Sequence, residues 1–533
     1  MTPTQSVTDM LASLRSQAEE LAQQRRVDEA IARFQRVLEL APADLQSLLR
    51  ISDLHLQADR YGEARRFALR AHATAPSRPE HITALAARLR TFNEPRAILA
   101  DARRVPLRRW SIPLLLQLAQ ALSSLNLQTE AFAALDEARK GDPRFPPMLS
   151  ARGQVLTYLG RLEDAARDLQ QCIALAPELA HPHWLLSRLR TWTVAQNHVP
   201  ALQRELGRPG RKPDDVARLA YALHKELDDL GKTDEAWTAL ELACKTRRAA
   251  IRYEAGDSAR LVERLMALPT PAAPTGTASD EDSQGAVPVF IVGMHRSGTS
   301  LLEQVLAGHD GVRDMGELYD FTAQMRLATD HYCRGVVDEI IVERSLSIDM
   351  RAVGQGYLDA TAWRRGTRAV AVDKLPSNFL NLGFILQALP RARVLHMVRD
   401  PMETCFSNLR ELFSDANPYS YDQIELAEYF AQYRRLMTHW SDRFPGRILD
   451  VHYDRLVGDS ESTMREIASF CGLAFQEGML RPGAGRRAVA TASAVQVRGA
   501  IERRAIAKWR PYADRLEPLR ARLRSLGVAG VPD

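Results

Sequence analysis

The stretch Gly293-Met294-His295-Arg296-Ser297-Gly298-Thr299-Ser300 decides the fold of the second half of this chain. It directly follows the apolar, β-branched run 289–292, and the residues after it show the apolar spacing of a helix. Two glycines remove the side chains that would block a tight turn, so successive backbone N–H groups can point toward one anion at the start of the helix. The stretch therefore predicts an anion-binding loop between a strand and a helix.

The basic residue of this loop stands in an unusual place. The spacing of Gly293 and Gly298 matches the phosphate loop of nucleotide triphosphatases, but Thr299 stands where that loop carries its lysine. The positive charge is instead Arg296, inside the loop, and no acidic residue that could hold magnesium is evident after an apolar strand. The pattern argues against a kinase or triphosphatase, which we keep as an alternative.

Three further apolar runs continue the strand and helix pattern. They occupy residues 369–372, 394–398 and 448–451, and helical stretches lie between them. Strands that alternate with helices are typical of a parallel sheet covered by helices. We therefore predict an α/β P-loop fold for the second half of the chain.

The first half repeats itself every 34 residues. Ala30 and Ala64 have this spacing, as do Ala131 and Ala165, and Ala-Pro recurs at 41–42 and 75–76. This is the period of a helix–turn–helix tetratricopeptide unit, in which small alanines let two helices approach closely and prolines end them. Residues 10–265 resemble the tetratricopeptide repeat family and predict an all-α solenoid, with shortened helical pairs between residues 80 and 125.

The stretch 268–287 is rich in Pro, Ala, Ser, Thr, Gly and acidic residues, a composition that cannot build a core. We therefore predict a repeat solenoid at residues 1–267, a flexible linker at 268–287 and a second domain at 288–533. Solenoids commonly present a concave surface to another protein. A spacer or dimerisation arm is the alternative role.

The loop resembles the 5′-phosphosulfate loop of sulfotransferases, in particular that of the tyrosylprotein sulfotransferases. That family reads Pro-Arg-Ser-Gly-Thr-Thr, whereas this chain has His295 for the proline and Ser300 for the last threonine. The resemblance extends over about residues 286–525. It implies that the donor is 3′-phosphoadenosine 5′-phosphosulfate and that it is bound by the loop residues Arg296, Ser297, Gly298, Thr299 and Ser300.

The resemblance also implies a site for the rest of the nucleotide. Arg399 and Ser407 have the spacing of the family motif that grips the 3′-phosphate. Tyr453 resembles a strand-end tyrosine near the nucleotide, and Lys508 resembles a late lysine that reaches it, with the register displaced by one residue. The family places a further arginine after the serine, but Arg410 is one position off and is not included.

Three residues take catalytic roles under the same resemblance. Glu317 corresponds to the general base that removes the acceptor's proton. Lys374 corresponds to the lysine that stabilises negative charge on the oxygen between sulfur and phosphorus. Ser493 corresponds to a serine that helps to hold the sulfuryl group.

Composition bounds the partners. A net charge of +5 over 533 residues is too weak to indicate nucleic acid. The five cysteines are scattered without a CxxC pair, and no grouping has metal-ligand spacing, so we expect neither a disulfide framework nor a metal. No leader pattern and no stretch of about 18 apolar residues is present, so we expect a cytoplasmic protein without a membrane span.

The acceptor is the least defined part of the prediction. The resemblance and the repeats favour a tyrosine of a peptide or protein, bound with help from the helical repeats. A hydroxyl of a small molecule or carbohydrate is the first alternative, and a repeat scaffold that carries an inactive transferase fold is another. Whether the protein forms a homodimer stays open.

Overall fold

The computed structural model describes residues 3–269, 285–413, 415–480 and 507–532. Most of the predicted linker, residues 270–284, and the predicted catalytic Ser493 lie outside the described residues. Among the helices described, none is both long enough and apolar enough to cross a membrane.

The chain divides into two compact units. One comprises Met1–Asp142, Tyr319–Arg334 and Glu343–Asp349, and the other comprises Pro143–Leu318, Gly335–Val342 and Met350–Asp533. The second unit therefore contains both repeat helices and the α/β sheet. These units do not follow the ranges proposed from the sequence, which stay a prediction.

The described part of the chain before residue 270 is helical apart from turns, as the repeats predicted. Four of the alanines that mark the 34-residue period are fully buried: Ala30, Ala64, Ala131 and Ala165. The helices are α1 (Pro3–Gln23), α2 (Val27–Leu40), α3 (Leu45–Gln57), α4 (Tyr61–Ala73), α5 (Pro79–Thr91), α6 (Pro95–Ala102), α7 (Ile112–Ser124), α8 (Gln128–Gly141), α9 (Pro146–Tyr158), α10 (Leu162–Leu175), α11 (Ala180–Ser187), α12 (Val199–Leu206), α13 (Pro213–Asp229), α14 (Thr233–Ala249) and α15 (Ala255–Met266).

The period has a direct structural cause. Helices α2 and α4 begin 34 residues apart, as do α8 and α10, and each packs on the helix before it. The stretch in which the period fades contains α6, which is only 8 residues long. Its neighbours α5 and α7 have 13 residues each, so one helix of this stretch is shortened.

A parallel sheet forms the centre of the α/β part and lies in the second unit. Its order is β2-β3-β1-β4-β5, and all four predicted strands are confirmed. The edge strand β2 was not predicted because its three residues are too few to show a pattern. The strands are β1 (Val287–Gly293), β2 (Val312–Asp314), β3 (Val370–Lys374), β4 (Arg393–Val398) and β5 (Ile448–His452).

Helices cover both faces of this sheet. On one face, alternate residues such as Val289 and Ile291 pack with α16 and α24. On the other face, Phe290 contacts Tyr357 of α19, and His396 contacts Tyr433 of α22. The helices are α16 (Thr299–Leu306), α17 (Asp320–Ala328), α18 (Glu339–Arg344), α19 (Met350–Arg365), α20 (Leu382–Ala388), α21 (Pro401–Leu409), α22 (Gln423–Arg443), α23 (Tyr453–Gly458), α24 (Ser460–Phe470) and α25 (Glu517–Ser525).

The segment after Glu317 belongs to the first unit. One carboxylate oxygen of Asp59, in the turn before α4, lies 2.6 Å from His331 Nδ1, and the other accepts a hydrogen bond of 2.8 Å from Arg344. The backbone N–H of Gly62 donates to Asp330 at 2.6 Å. Polar contacts thus hold residues of the segments 319–334 and 343–349 against the first repeat helices.

The later repeat helices are part of the second unit. Arg248 of α14 donates two hydrogen bonds of 2.7 Å to Glu425 at the start of α22. Helix α15 packs along α22 as well. The repeats from α9 onward therefore share one compact body with the sheet.

We expect Gly354→Ala to lower the midpoint of thermal unfolding by about 5 °C, because a β-carbon there would overlap the backbone carbonyl of Ala388 at the end of α20. The matched control is Gly458→Ala, where a β-carbon meets open space and the midpoint should stay within about 1 °C of wild type. Equal midpoints for the two variants, measured by calorimetry, would contradict the tight packing of α19 on α20.

Candidate active site

The carboxyl edge of the sheet collects most of the predicted site residues that the structure describes. Because all the strands are parallel, the loop after β1, Lys374 at the end of β3, Arg399 after β4 and Tyr453 after β5 all lie on this edge. Strand β1 lies between β3 and β4, so the strands that follow it in the chain lie on both of its sides. Ligands of parallel sheets bind at such a switch point.

The loop wraps tightly around the start of α16. Gly298 has a φ of +113°, and a β-carbon there would lie 2.7 Å from the ring of Tyr453. Arg296 adopts the left-handed conformation with a φ of +67°, which is costly for a residue with a side chain and is common at ligand sites. The Ser297 hydroxyl is 1% exposed and has no hydrogen-bond partner among the described residues.

These features fit a bound anion. The loop supplies backbone N–H groups at the start of a helix, glycine where a side chain would collide, and a buried hydroxyl with an unmet hydrogen bond. A phosphate or phosphosulfate group would satisfy that hydroxyl.

The side chain of Arg296 is buried rather than exposed to solvent. Its Nε donates to Ser407 Oγ at 3.2 Å, and its Nη1 lies 3.7 Å from Glu411 Oε2. Burial lowers the pKa of Arg296 to about 10, and the neighbouring Glu411 carboxylate opposes that decrease. The guanidinium therefore keeps its charge at neutral pH while it is largely withdrawn from water.

Arg399 and Ser407 both contact Arg296. Arg399 Nη1 donates to the backbone oxygen of Arg296 at 3.3 Å, while Ser407 accepts from the Arg296 side chain. The Arg399 guanidinium also lies over the ring of Tyr453, 4.3 Å from its centroid, and it pairs with Glu403 at 3.3 Å. The four predicted nucleotide residues of this group, including Tyr453, thus form one connected cluster.

Lys374 and Glu317 form an ion pair. Lys374 is fully buried, and its Nζ lies 2.5 Å from Glu317 Oε1, whose side chain is 28% exposed. The backbone holds the pair in register, because Lys374 N donates to Gly316 O at 2.9 Å. One carboxylate oxygen is thus held by an ammonium group while part of the side chain reaches solvent.

The remaining predicted residues are less closely tied to the cluster. Lys508 is exposed and precedes Trp509, whose backbone N–H contacts Glu403 at 3.5 Å. Arg410, which was not included among the predicted residues, contacts His224 at 3.0 Å and Asp228 at 2.5 Å, both on α13.

Sequence reasoning missed several residues of the site. Asn408 donates to the backbone oxygen of His295 at 2.7 Å, and Glu411 contacts Arg296. Asn408 directly follows Ser407, and Glu411 lies just beyond the end of α21, so an inspection of the residues after Ser407 could have found both. Arg188, which pairs with Glu411 at 2.9 Å, left no signal in the sequence because 223 residues separate the two.

The comparisons with known proteins agree with this geometry. Residues 288–477 match the model of the sulfotransferase family, and residues 21–89 match the model of the tetratricopeptide repeat. The chain therefore carries one segment similar to tetratricopeptide repeats and one similar to the sulfotransferase family, as both resemblances predicted.

Individual relatives are distant. An uncharacterized protein of Aquifex aeolicus (strain VF5) is 29% identical over 409 residues, which are 75% of this chain and 53% of the relative. The chain thus spans about half the length of that relative. A Caenorhabditis briggsae protein named "Putative protein-tyrosine sulfotransferase" is 25% identical over 197 residues, which are 36% of this chain and 68% of the relative.

Sulfotransferases are also among the solved structures that the comparison matches to this chain. The sulfotransferase domain of the Synechococcus PCC 7002 olefin synthase shares 21% identity with this chain at a TM-score of 0.31. The match covers 43% of this chain and 88% of the olefin synthase domain. The sulfotransferase of Alicyclobacillus acidocaldarius shares 16% identity at a TM-score of 0.26 and covers 46% of this chain and 96% of its own.

His295 makes the stability of the folded chain depend on pH. Burial, with Lys374 and Arg296 adding to it, lowers the pKa of His295 from its ordinary 6.5 to about 4. Between these values the unfolded chain binds a proton that the folded chain does not, so the stability due to neutral His295 is lost as the pH falls from 6.5 toward 4.

We therefore expect His295→Gln to lose less thermal stability than wild type between pH 7 and pH 5. The matched control is His452→Gln, at an exposed residue, which should keep the full wild-type loss. Both variants should still lose some thermal stability, because burial also lowers the pKa of His181 and His224 to about 4. Identical losses in all three proteins would show that His295 does not titrate as described.

Proposed function

We propose that this protein transfers a sulfuryl group from 3′-phosphoadenosine 5′-phosphosulfate to an acceptor hydroxyl, with tyrosine of a peptide or protein as the acceptor. The observation that carries the proposal is the Lys374–Glu317 pair, which lies at the same sheet edge as the anion loop of a sulfotransferase domain. Such a pair joins a proton acceptor to a charge stabiliser, the two groups that the transfer requires.

The donor supplies an electrophilic sulfuryl group attached to a phosphate that can leave. In our proposal the loop residues Arg296, Ser297, Gly298, Thr299 and Ser300 bind the phosphosulfate end. Arg399 and Ser407 hold the 3′-phosphate, and Tyr453 and Lys508 border the nucleotide.

Glu317 takes the proton of the acceptor hydroxyl as its oxygen bonds to sulfur. Lys374 donates to the oxygen that leaves sulfur as the bond to the donor phosphate breaks, and Ser493 helps to hold the sulfuryl group. The residues described at the site can stabilise this charge without a metal, and among the described residues no group of three or more metal-ligating side chains is found. The absence of a metal stays a prediction.

Two observations support a protein acceptor. The Caenorhabditis relatives are named "Putative protein-tyrosine sulfotransferase", at 25% and 28% identity over parts of this chain. Tetratricopeptide repeats commonly bind peptides on their inner surface, which gives this chain a second region that could hold the acceptor. A cytoplasmic location stays a prediction, and whether the protein forms a homodimer stays open.

Glu317→Gln and Lys374→Gln should each lower radiolabelled sulfate transfer by about 100-fold or more, because each removes a group that acts at the reacting atoms. Both variants should still bind adenosine 3′,5′-bisphosphate in calorimetry. The exposed Glu343→Gln serves as the matched control and should transfer at the wild-type rate. Wild-type transfer by both site variants would refute their roles.

The acceptor can be identified by incubating proteins and metabolites of a lysate with the enzyme and labelled donor, followed by mass spectrometry. Label on tyrosine of peptides is the expected result. Label confined to small alcohols or sugars would replace the protein acceptor with a small-molecule one. Tight ATP–magnesium binding without binding of adenosine 3′,5′-bisphosphate would instead favour a kinase or triphosphatase.

A further inference from the structure

Arg188 connects the repeat helices to the anion loop. It directly follows α11, and its guanidinium lies 2.9 and 3.0 Å from the two carboxylate oxygens of Glu411. The same guanidinium lies over the ring of Trp184, 4.7 Å from its centroid, which fixes its position further. Contacts with both Trp184 and Glu411 therefore hold the Arg188 guanidinium in place.

Glu411 lies between two cations. It follows the end of α21, its side chain is 8% exposed, and its Oε2 is 3.7 Å from Arg296 Nη1. Its contacts with Arg188 are shorter than its contact with Arg296. The carboxylate is thus bound more closely by the repeat arginine than by the loop arginine.

This arrangement solves an electrostatic problem. A buried carboxylate next to Arg296 would cancel the charge of the loop and repel an incoming phosphate. A second cation on the same carboxylate restores a net positive charge at the loop. The interaction of Arg296 with both groups is visible in its pKa, which Glu411 raises and Arg188 lowers.

The same turn of chain is anchored to the repeats at other points. The backbone oxygen of Leu409 accepts from Tyr221 at 3.2 Å and from Cys244 at 3.5 Å. Arg410 pairs with Asp228 of α13 at 2.5 Å. Residues of two repeat helices, α13 and α14, thus fix the end of α21, the helix that carries Ser407.

We propose that Arg188, supplied by the repeat helices, is a positioning residue of the donor site that holds Glu411 so that Arg296 remains available to an anion. This inference rests on the proposed function, because it concerns how the donor's phosphosulfate end is bound. The repeats then take part in donor binding in addition to any part they play in acceptor binding.

The test measures binding of adenosine 3′,5′-bisphosphate to the full chain by calorimetry. Arg188→Gln should weaken binding by about tenfold, a usual size for coupling between neighbouring groups. In the double variant Arg188→Gln/Glu411→Gln, binding should return to within about threefold of wild type, because the carboxylate that opposes the anion is gone. A double variant as weak as Arg188→Gln would overturn the proposal.

Glu411→Gln alone tests the same claim from the other side. It should bind the bisphosphate at least as tightly as wild type, and clearly weaker binding would overturn the proposal. This variant remains informative if Arg188→Gln fails to fold, which the midpoint of thermal unfolding would reveal.

The matched control is Arg248→Gln. It removes another ion pair between a repeat helix and the sulfotransferase domain, with Glu425 at 2.7 Å, and should leave bisphosphate affinity unchanged. Equal affinities of Arg188→Gln, Arg248→Gln and wild type would reject the inference alone. A wild-type chain that binds no bisphosphate would reject the proposed function together with the inference.

Discussion

The site depends on one constraint. The guanidinium of Arg296 must keep its positive charge although it is almost fully buried. Arg296 meets it because burial lowers its pKa only to about 10, well above neutral pH. A lysine at the same depth would lose its proton more readily. The hydroxyl of Ser407 and the carboxylate of Glu411 complete the surroundings of the guanidinium. The unusual residue of the loop therefore follows from its buried position.

Charge balance extends this constraint along the whole sheet edge. Each of three cations on this edge contacts a carboxylate, and the carboxylate beside the loop is shared with a fourth cation, Arg188. An anionic ligand must compete with these carboxylates for the cations, so the pairs limit its affinity. The pairs are Arg296–Glu411, Lys374–Glu317 and Arg399–Glu403.

The sequence could predict what local pattern controls. Four strands, the loop and the repeat period could be recognised because hydrophobic spacing and glycine positions act over a few residues. The sequence also placed Lys374 and Arg399 at strand ends, but the pairing of Lys374 with Glu317 and the contacts of Arg296 with Arg399 and Ser407 are visible only in the structure. The Glu411–Arg188 contact could not be predicted, because it depends on which surface the repeat helices present to the sheet. Ser493 lies outside the described residues, so its role stays a prediction.

The path of the chain after Glu317 has a consequence for how this protein can be divided. Residues 319–334 leave the sheet, join the compact unit of the first repeats through Asp59 and His331, and return before β3. A fragment that begins after residue 287 would therefore lack the residues that receive this segment, among them Asp59 and Gly62. A new repeat array could serve this chain only if it supplied equivalent contacts for residues 319–334.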